Sequence, residues 1–186
     1  MDALTLFLEK GVPPEKTFFF PTFRDPFDVA ASWKRMWNWE WDDFPFDSFR
    51  ESMVITLDTM DKAKKNDIAV VPYVHDFLRD FDPKVVISRM FSLVDLPFSE
   101  NVVDWNSDDN DPYFAGKIVK YDIPPDEWVR GALGKDKGGR GALVWRPTSQ
   151  EHELSSEIKD LLTKKVPEVF EGYKQTSAYA KELLRL

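Results

Sequence analysis

The sequence predicts an α/β protein of three layers, in which a mostly parallel sheet is flanked by helices. Two short runs rich in aromatic and β-branched residues, 17–22 and 68–71, are bounded by turn residues and have the length of buried strands. Two segments between these runs and one after them carry apolar residues at helical spacing. The order strand, helix, helix, strand, helix is typical of layered α/β proteins.

The composition fits one globular domain over residues 1–186. Hydrophobic residues make up 42% of the chain and aromatic residues 15%, which is too apolar for a disordered protein. The net charge of −8 argues against nucleic-acid binding, and the absence of cysteine excludes disulfides, thiolate catalysis and zinc–sulfur sites. No apolar run approaches the roughly 20 residues that cross a bilayer, and no signal peptide is recognisable. We therefore expect a cytoplasmic protein without a membrane span.

The first helices are predicted from their start and stop signals. Apolar residues from Leu4 to Leu8 indicate a short amphipathic helix that Gly11 and the following proline pair close. After the first strand, Asp25 is a good N-cap and Pro26 suits the first helical position. That helix is expected to run to about Trp39.

The remaining elements follow the same logic. Apolar spacing predicts a second helix over 46–65, and lysines near its end complement the helix dipole. Asp82 and the proline after it open a third helix beyond the second strand. Residues 106–112 form a predicted acidic loop and residues 131–141 a loop rich in glycine and lysine. Two further helices are expected, over 152–164 and from Pro167 onward.

The junction after the first strand carries the predicted binding site. Arg24 leaves the strand, and Ser32 lies in the helix that Asp25 opens. Backbone N–H groups and the positive dipole end meet at such a junction, so it can bind an anion. A capped helix in which Arg24 pairs with Asp25 or Asp28 explains the same residues equally well.

This junction resembles the second phosphate-binding segment of the sulfotransferases. The family pattern Arg-x-Pro-x-Asp-Val-x-x-Ser is matched in register at Arg24, Pro26, Asp28, Val29 and Ser32. The resemblance implies a P-loop sulfotransferase-like fold and binding of the sulfate donor PAPS (3′-phosphoadenosine 5′-phosphosulfate) or its product PAP. It assigns contacts with the 3′-phosphate to Arg24 and Ser32.

A second block extends the resemblance to roughly residues 17–105. Residues 70–98 are similar to the family's strand, its Tyr-Glu-Asp-Leu segment, its Asp-Pro helix and its Leu-Pro-Phe ending, with His75 inside the Tyr-Glu-Asp-Leu segment. Arg140, followed by glycine, partly matches the late segment that closes over the 3′-phosphate. The family's N-terminal loop for the 5′-phosphosulfate has no counterpart before Arg24, so we expect an N-terminally incomplete version of the fold.

These observations leave the function open between three hypotheses. The first is a sulfotransferase that transfers a sulfuryl group to a small hydroxylated acceptor once the missing loop is supplied; its catalytic residue is not assigned, and no metal is expected. The second is a non-catalytic interaction module on the same scaffold, forming a homo-oligomer or binding a partner chain over an exposed sheet edge. The third is a fragment of a longer enzyme. The tryptophans from 33 to 41 bear on the second hypothesis: Trp33 and Trp37 are expected in the core, and Trp39 and Trp41 near the frayed helix end.

Overall fold

The computed structural model describes residues 3–99 and 154–186, and it confirms a mixed α/β protein with parallel strands. Strand β1 (Phe18–Phe19) pairs in parallel with β3 (Ala69–Val70), and β2 (Thr22–Phe23) pairs in parallel with β4 (Tyr73–Val74). Within the described residues these pairs form two two-stranded sheets rather than one wide sheet. The predicted loops 106–112 and 131–141, together with Arg140, lie outside the described residues.

Two prolines explain why the parallel pairing is divided into two short pairs, the second of which includes β4, beyond the predicted end of the second strand at residue 71. Pro21 separates β1 from β2, and Pro72 separates β3 from β4. A proline has no N–H to donate, so a regular ladder is interrupted there. The pairing nevertheless runs on, because the N–H groups of Val71, Tyr73 and His75 donate to carbonyls of the first strand at 3.0, 2.8 and 2.9 Å. The two pairs are therefore successive parts of one parallel ribbon.

Helices α1 to α3 have the predicted positions. Helix α1 (Ala3–Glu9) is followed by Gly11 at a φ of +69°, a conformation that glycine adopts without strain. Helix α2 (Pro26–Trp37) begins after Asp25 and ends two residues before the expected Trp39, because Asn38 adopts the left-handed conformation at a φ of 52°. Helix α3 (Phe46–Lys65) has the predicted bounds.

The later helices add one element that the sequence did not predict. This is the short helix α4 (Phe77–Asp80), which follows β4 directly. Helix α5 (Pro83–Ser92) starts at the predicted Asp82 cap. Helices α6 (Ser156–Lys165) and α7 (Pro167–Leu183) complete the described chain. The cap of α6 is Ser155, and the residues before 154 that were expected in this helix lie outside the described ranges.

Helix α7 organises the core, because it packs against α2, α3, α6 and β4. One buried cluster lies between these helices and consists of Ala30, Phe44, Phe49, Leu162, Val166 and Val169. Trp33, Trp39 and Trp41 are half-buried against this cluster. Trp37 was expected in the core, but its side chain at the last residue of α2 is 48% exposed. The core prediction is wrong for Trp37, since the core cluster is reached by the preceding turns of the helix.

Candidate functional site

The candidate site lies where β2 and β4 end. Phe23 and Val74 pair in register and are both buried, so they face the core. Successive residues of a strand point to opposite faces. Arg24 and His75, which come directly after this pair, therefore lie on the opposite face, together with Tyr73. Because the strands are parallel, their carboxyl ends bring these polar residues to the same edge.

Arg24 makes one ion pair and keeps one donor unused. Its Nη2 lies 3.5 Å from the Asp28 Oδ2, which is the structural pairing expected from the sequence. The side chains of Arg24 and Asp28 are 41% and 26% exposed, so this contact is partly solvated. The Arg24 Nε is buried and has no hydrogen-bond partner in the described parts of the chain. The guanidinium thus retains an N–H that an acceptor could use.

Two further buried polar atoms share this lack of a partner. Among the described residues, neither the Tyr73 hydroxyl nor the His75 Nδ1 has a hydrogen-bond partner. The two rings stand edge to face with centroids 6.4 Å apart. Burial, and then the Asp76 charge, raise the pKa of Tyr73 to about 12. Burial and the Arg24 charge lower the pKa of His75, against the opposing effect of Asp76 and Asp28.

Asp76 fixes the geometry beneath these groups. Its side chain is 5% exposed, and its Oδ2 accepts hydrogen bonds from the Asp25 N–H at 2.8 Å and from the Tyr173 hydroxyl at 2.9 Å. Burial, the Asp76 charge and the hydrogen bond with Asp76 raise the pKa of Tyr173 above its usual range. One carboxylate oxygen therefore joins the exit of β2, the start of α4 and helix α7. No local pattern in the sequence indicates this contact, since 97 residues separate Asp76 from Tyr173.

The start of α2 is partly occupied by the chain's own carboxylate. The Asp25 Oδ1 accepts the Phe27 N–H at 2.7 Å, as an N-cap should. Burial raises the pKa of Asp25, the hydrogen bond from Phe27 opposes this shift, and the charges of Asp76 and Asp28 add to it. The sequence predicted helix-start N–H groups for an anion. At Phe27 that N–H already donates to Asp25, so side-chain donors must supply most of any anion binding here.

Ser32 lies on the same side of α2 as Arg24 and Asp28. Asp28 and Ser32 are four residues apart within α2 and lie on one helical face, and the ion pair with Asp28 places Arg24, which precedes the helix, beside that face. Ser32 is half-buried about 6 Å along the helix axis beyond Asp28. The structure therefore brings the predicted residues Arg24 and Ser32 to one side of the β2–α2 junction. Arg140 is not among the described residues.

Other parts of the described chain offer less chemistry. A cavity of about 750 Å³ opens between α5 and α7, away from the β2–α2 junction, and Arg89, Ser92, Tyr179 and Arg185 contribute to its lining. The Arg89 Nη1 donates to the carbonyls of Leu184 and Arg185 and so caps the end of α7. Over residues 3–99 and 154–186 no cluster of three or more histidine or acidic side chains could hold a metal ion. None of the helices in those ranges is both long and apolar enough to span a bilayer.

No protein-family model, curated protein or solved structure matches this chain.

Proposed function

We propose that this protein is sulfotransferase-like and binds the 3′-phosphate end of PAPS or PAP at the β2–α2 junction. The observation that carries the proposal is the group of unpartnered buried atoms, the Arg24 Nε and the Tyr73 hydroxyl, at the carboxyl edge of the parallel strands. Ligands of open α/β sheets bind at this edge. An oxygen-rich anion would satisfy both donors. The motif match at Arg24 and Ser32 supports a nucleotide 3′-phosphate as that anion.

In the proposed complex, the ion pair of Arg24 with Asp28 is replaced by an ion pair of Arg24 with the phosphate. A phosphate can accept two parallel N–H bonds from the Arg24 guanidinium, which a single carboxylate oxygen at 3.5 Å does not. The ligand would displace Asp28 from Arg24 and accept the Ser32 hydroxyl on the same helical face. Partly exposed ion pairs such as that of Arg24 with Asp28 contribute about 0–1 kcal/mol to stability. Replacing this pair by a bidentate contact with a phosphate is therefore favourable.

Sulfuryl transfer is the activity that this binding would serve. In that step the S–O bond of the phosphosulfate breaks, a new S–O bond forms to an acceptor hydroxyl, the hydroxyl proton leaves, and PAP is released. Transfer also needs donors for the 5′-phosphosulfate, which we propose come from a loop or chain outside the residues described. The described residues assign no catalytic base.

Calorimetric titration with 3′,5′-ADP tests the binding proposal. Arg24→Ala removes a charge-assisted hydrogen bond and should weaken binding about 10- to 100-fold, and Ser32→Ala should weaken it about 3- to 10-fold. The matched controls are Arg50→Ala, which removes a similarly exposed ion-paired arginine, and Ser88→Ala, which removes a half-buried helical serine. Both controls should bind as the wild type does. Wild-type protein that gives no binding heat at millimolar nucleotide contradicts the proposal.

A second candidate function is an interaction module. It is favoured by the aromatic surface at the end of α2, where Trp37 is 48% exposed, Met36 is 51% exposed, and the Trp37 and Trp39 rings stack with centroids 5.0 Å apart. Large exposed apolar side chains that adjoin one another are typical of interaction surfaces. Light scattering at several concentrations tests this function. We expect the mass to rise with concentration and Trp37→Ser to abolish the rise, whereas a monomer at every concentration excludes self-association.

A further inference from the structure

We propose that His75 is a second anion-binding residue at this site and that it takes up a proton when the nucleotide phosphate binds. This inference rests on the proposed function, because it concerns the same ligand. It adds a residue that the Arg-x-Pro-x-Asp-Val-x-x-Ser pattern does not include. It also makes the affinity for the nucleotide depend on pH.

The strand register places His75 beside Arg24. Phe23 and Val74 pair directly, so the next residues of the two strands, Arg24 and His75, are neighbours on the polar face. The His75 backbone N–H donates to the Phe23 carbonyl at 2.9 Å, which fixes this register up to His75 itself. The buried Nδ1 has no partner within the described ranges, and neither has the nearby Arg24 Nε. One oxyanion between them would accept a hydrogen bond from each.

The charges around His75 explain why a proton would accompany the ligand. The charged groups that act on it are Arg24, Asp28 and Asp76, with the neutral Tyr73 ring beside it. Without a ligand, burial and the Arg24 charge favour the neutral imidazole. A bound phosphate offsets the Arg24 charge and accepts an N–H from Nδ1, so it favours the imidazolium. The proton comes from solution and remains on the ring while the ligand stays bound.

The test compares wild type and His75→Gln in 3′,5′-ADP titrations between about pH 6 and pH 8. The phosphate has its own ionisation near pH 6, but this affects both proteins equally and cancels in the ratio of their dissociation constants. We expect that ratio to be near one at about pH 8 and to reach roughly tenfold near pH 6, in favour of the wild type. His152→Gln, which removes the other histidine of the chain, should behave as the wild type.

A second measurement does not require His75→Gln to fold. The chain contains two histidines, so NMR of their ring protons gives two titration curves, and the curve that remains in His152→Gln belongs to His75. In the wild type, 3′,5′-ADP should move the titration midpoint of one histidine to higher pH and leave the other unchanged. If neither midpoint moves while the nucleotide binds, the proposal is overturned even where His75→Gln fails to fold.

The outcomes separate this inference from the proposed function. Wild-type protein that binds no 3′,5′-ADP at any pH overturns both. If Arg24→Ala weakens binding as expected but the ratio of dissociation constants between wild type and His75→Gln is constant with pH, the phosphate site stands and the role of His75 is overturned. Binding that loses its pH-dependent advantage in His75→Gln alone supports both.

Discussion

Replacing Asp76 by alanine should destabilise the fold strongly, because this carboxylate is a buried junction between three elements. The change removes the acceptor of both the Asp25 N–H and the Tyr173 hydroxyl. Each buried donor left without a partner costs about 1–3 kcal/mol. Part of this loss is offset, because the variant no longer buries a charge beside the Asp25 carboxylate. We therefore expect the free energy of unfolding to fall by about 2–4 kcal/mol.

Two milder variants separate the contributions of the hydrogen bonds that Asp76→Ala removes. Asp76→Asn keeps one carbonyl acceptor of the same shape and should cost about 1–2 kcal/mol. Tyr173→Phe removes one hydrogen bond to a charged group and should cost about 1.5 kcal/mol. Because both residues belong to one contact, the double variant Asp76→Asn with Tyr173→Phe should lose less than the sum of the two single changes.

Urea unfolding followed by tryptophan fluorescence measures these differences, and an unchanged dependence on denaturant shows that one transition is being compared. Asp80→Ala is the control, because Asp80 is exposed in the short helix α4 that follows Asp76 and forms only a surface pair with Arg79 among the contacts described. It should change stability by less than about 0.5 kcal/mol. If Asp76→Ala costs no more than Asp80→Ala, the two hydrogen bonds to Asp76 do not stabilise the fold.

Three further predictions concern other groups of the same region. Asp25→Asn keeps the N-cap but removes a carboxylate whose pKa is raised in the folded protein. The wild type should therefore lose stability relative to this variant as the pH rises from about 4 to 6, and urea unfolding at both pH values measures this loss. Tyr73→Phe removes a buried hydroxyl without a described partner, so the free energy of unfolding should stay equal or rise by up to about 1 kcal/mol, whereas 3′,5′-ADP binding should weaken. A loss of stability like that of Tyr173→Phe would contradict this prediction. A Cβ at Gly172 would clash with the Leu57 Cδ1. Gly172→Ala should therefore be less favourable in the wild type than in a Leu57→Ala background, by more than about 0.5 kcal/mol in unfolding free energy.

The helix starts were predictable because their signals are local. Asp25 with Pro26 and Asp82 with Pro83 each combine an N-cap side chain with a proline at the first helical position, and the structure begins helices at both places. The end of α2 was less predictable. Asn38 in the left-handed conformation stops the helix, and apolar spacing alone carries no such stop signal.

The candidate site was predictable only where its contacts are local. Arg24 and Asp28 are only four residues apart at the start of α2, so the sequence indicates this ion pair directly. The proximity of Arg24 to His75 depends on the pairing register of two strands separated by α2 and α3. The contact of Asp76 with Tyr173 depends on how helix α7 packs against β4. No local pattern encodes either arrangement, since both follow from tertiary packing.

An anion that binds to Arg24 has to displace some of the nearby carboxylates but not others. This difference decides whether such an acidic site can bind an anion. Asp76 is buried and accepts two short hydrogen bonds, so the fold holds its carboxyl group in place. Asp28 contacts Arg24 through a single oxygen at 3.5 Å on a partly solvated surface, where such pairs contribute about 0–1 kcal/mol. Among the residues that the structure describes, a phosphate therefore competes with Asp28 for the guanidinium. Protonation of His75 would then add a positive charge that partly balances Asp76. The affinity for an anion at this junction therefore depends on the replacement of Asp28 by the phosphate at Arg24 and on proton uptake by His75. The net charge of the whole chain matters less.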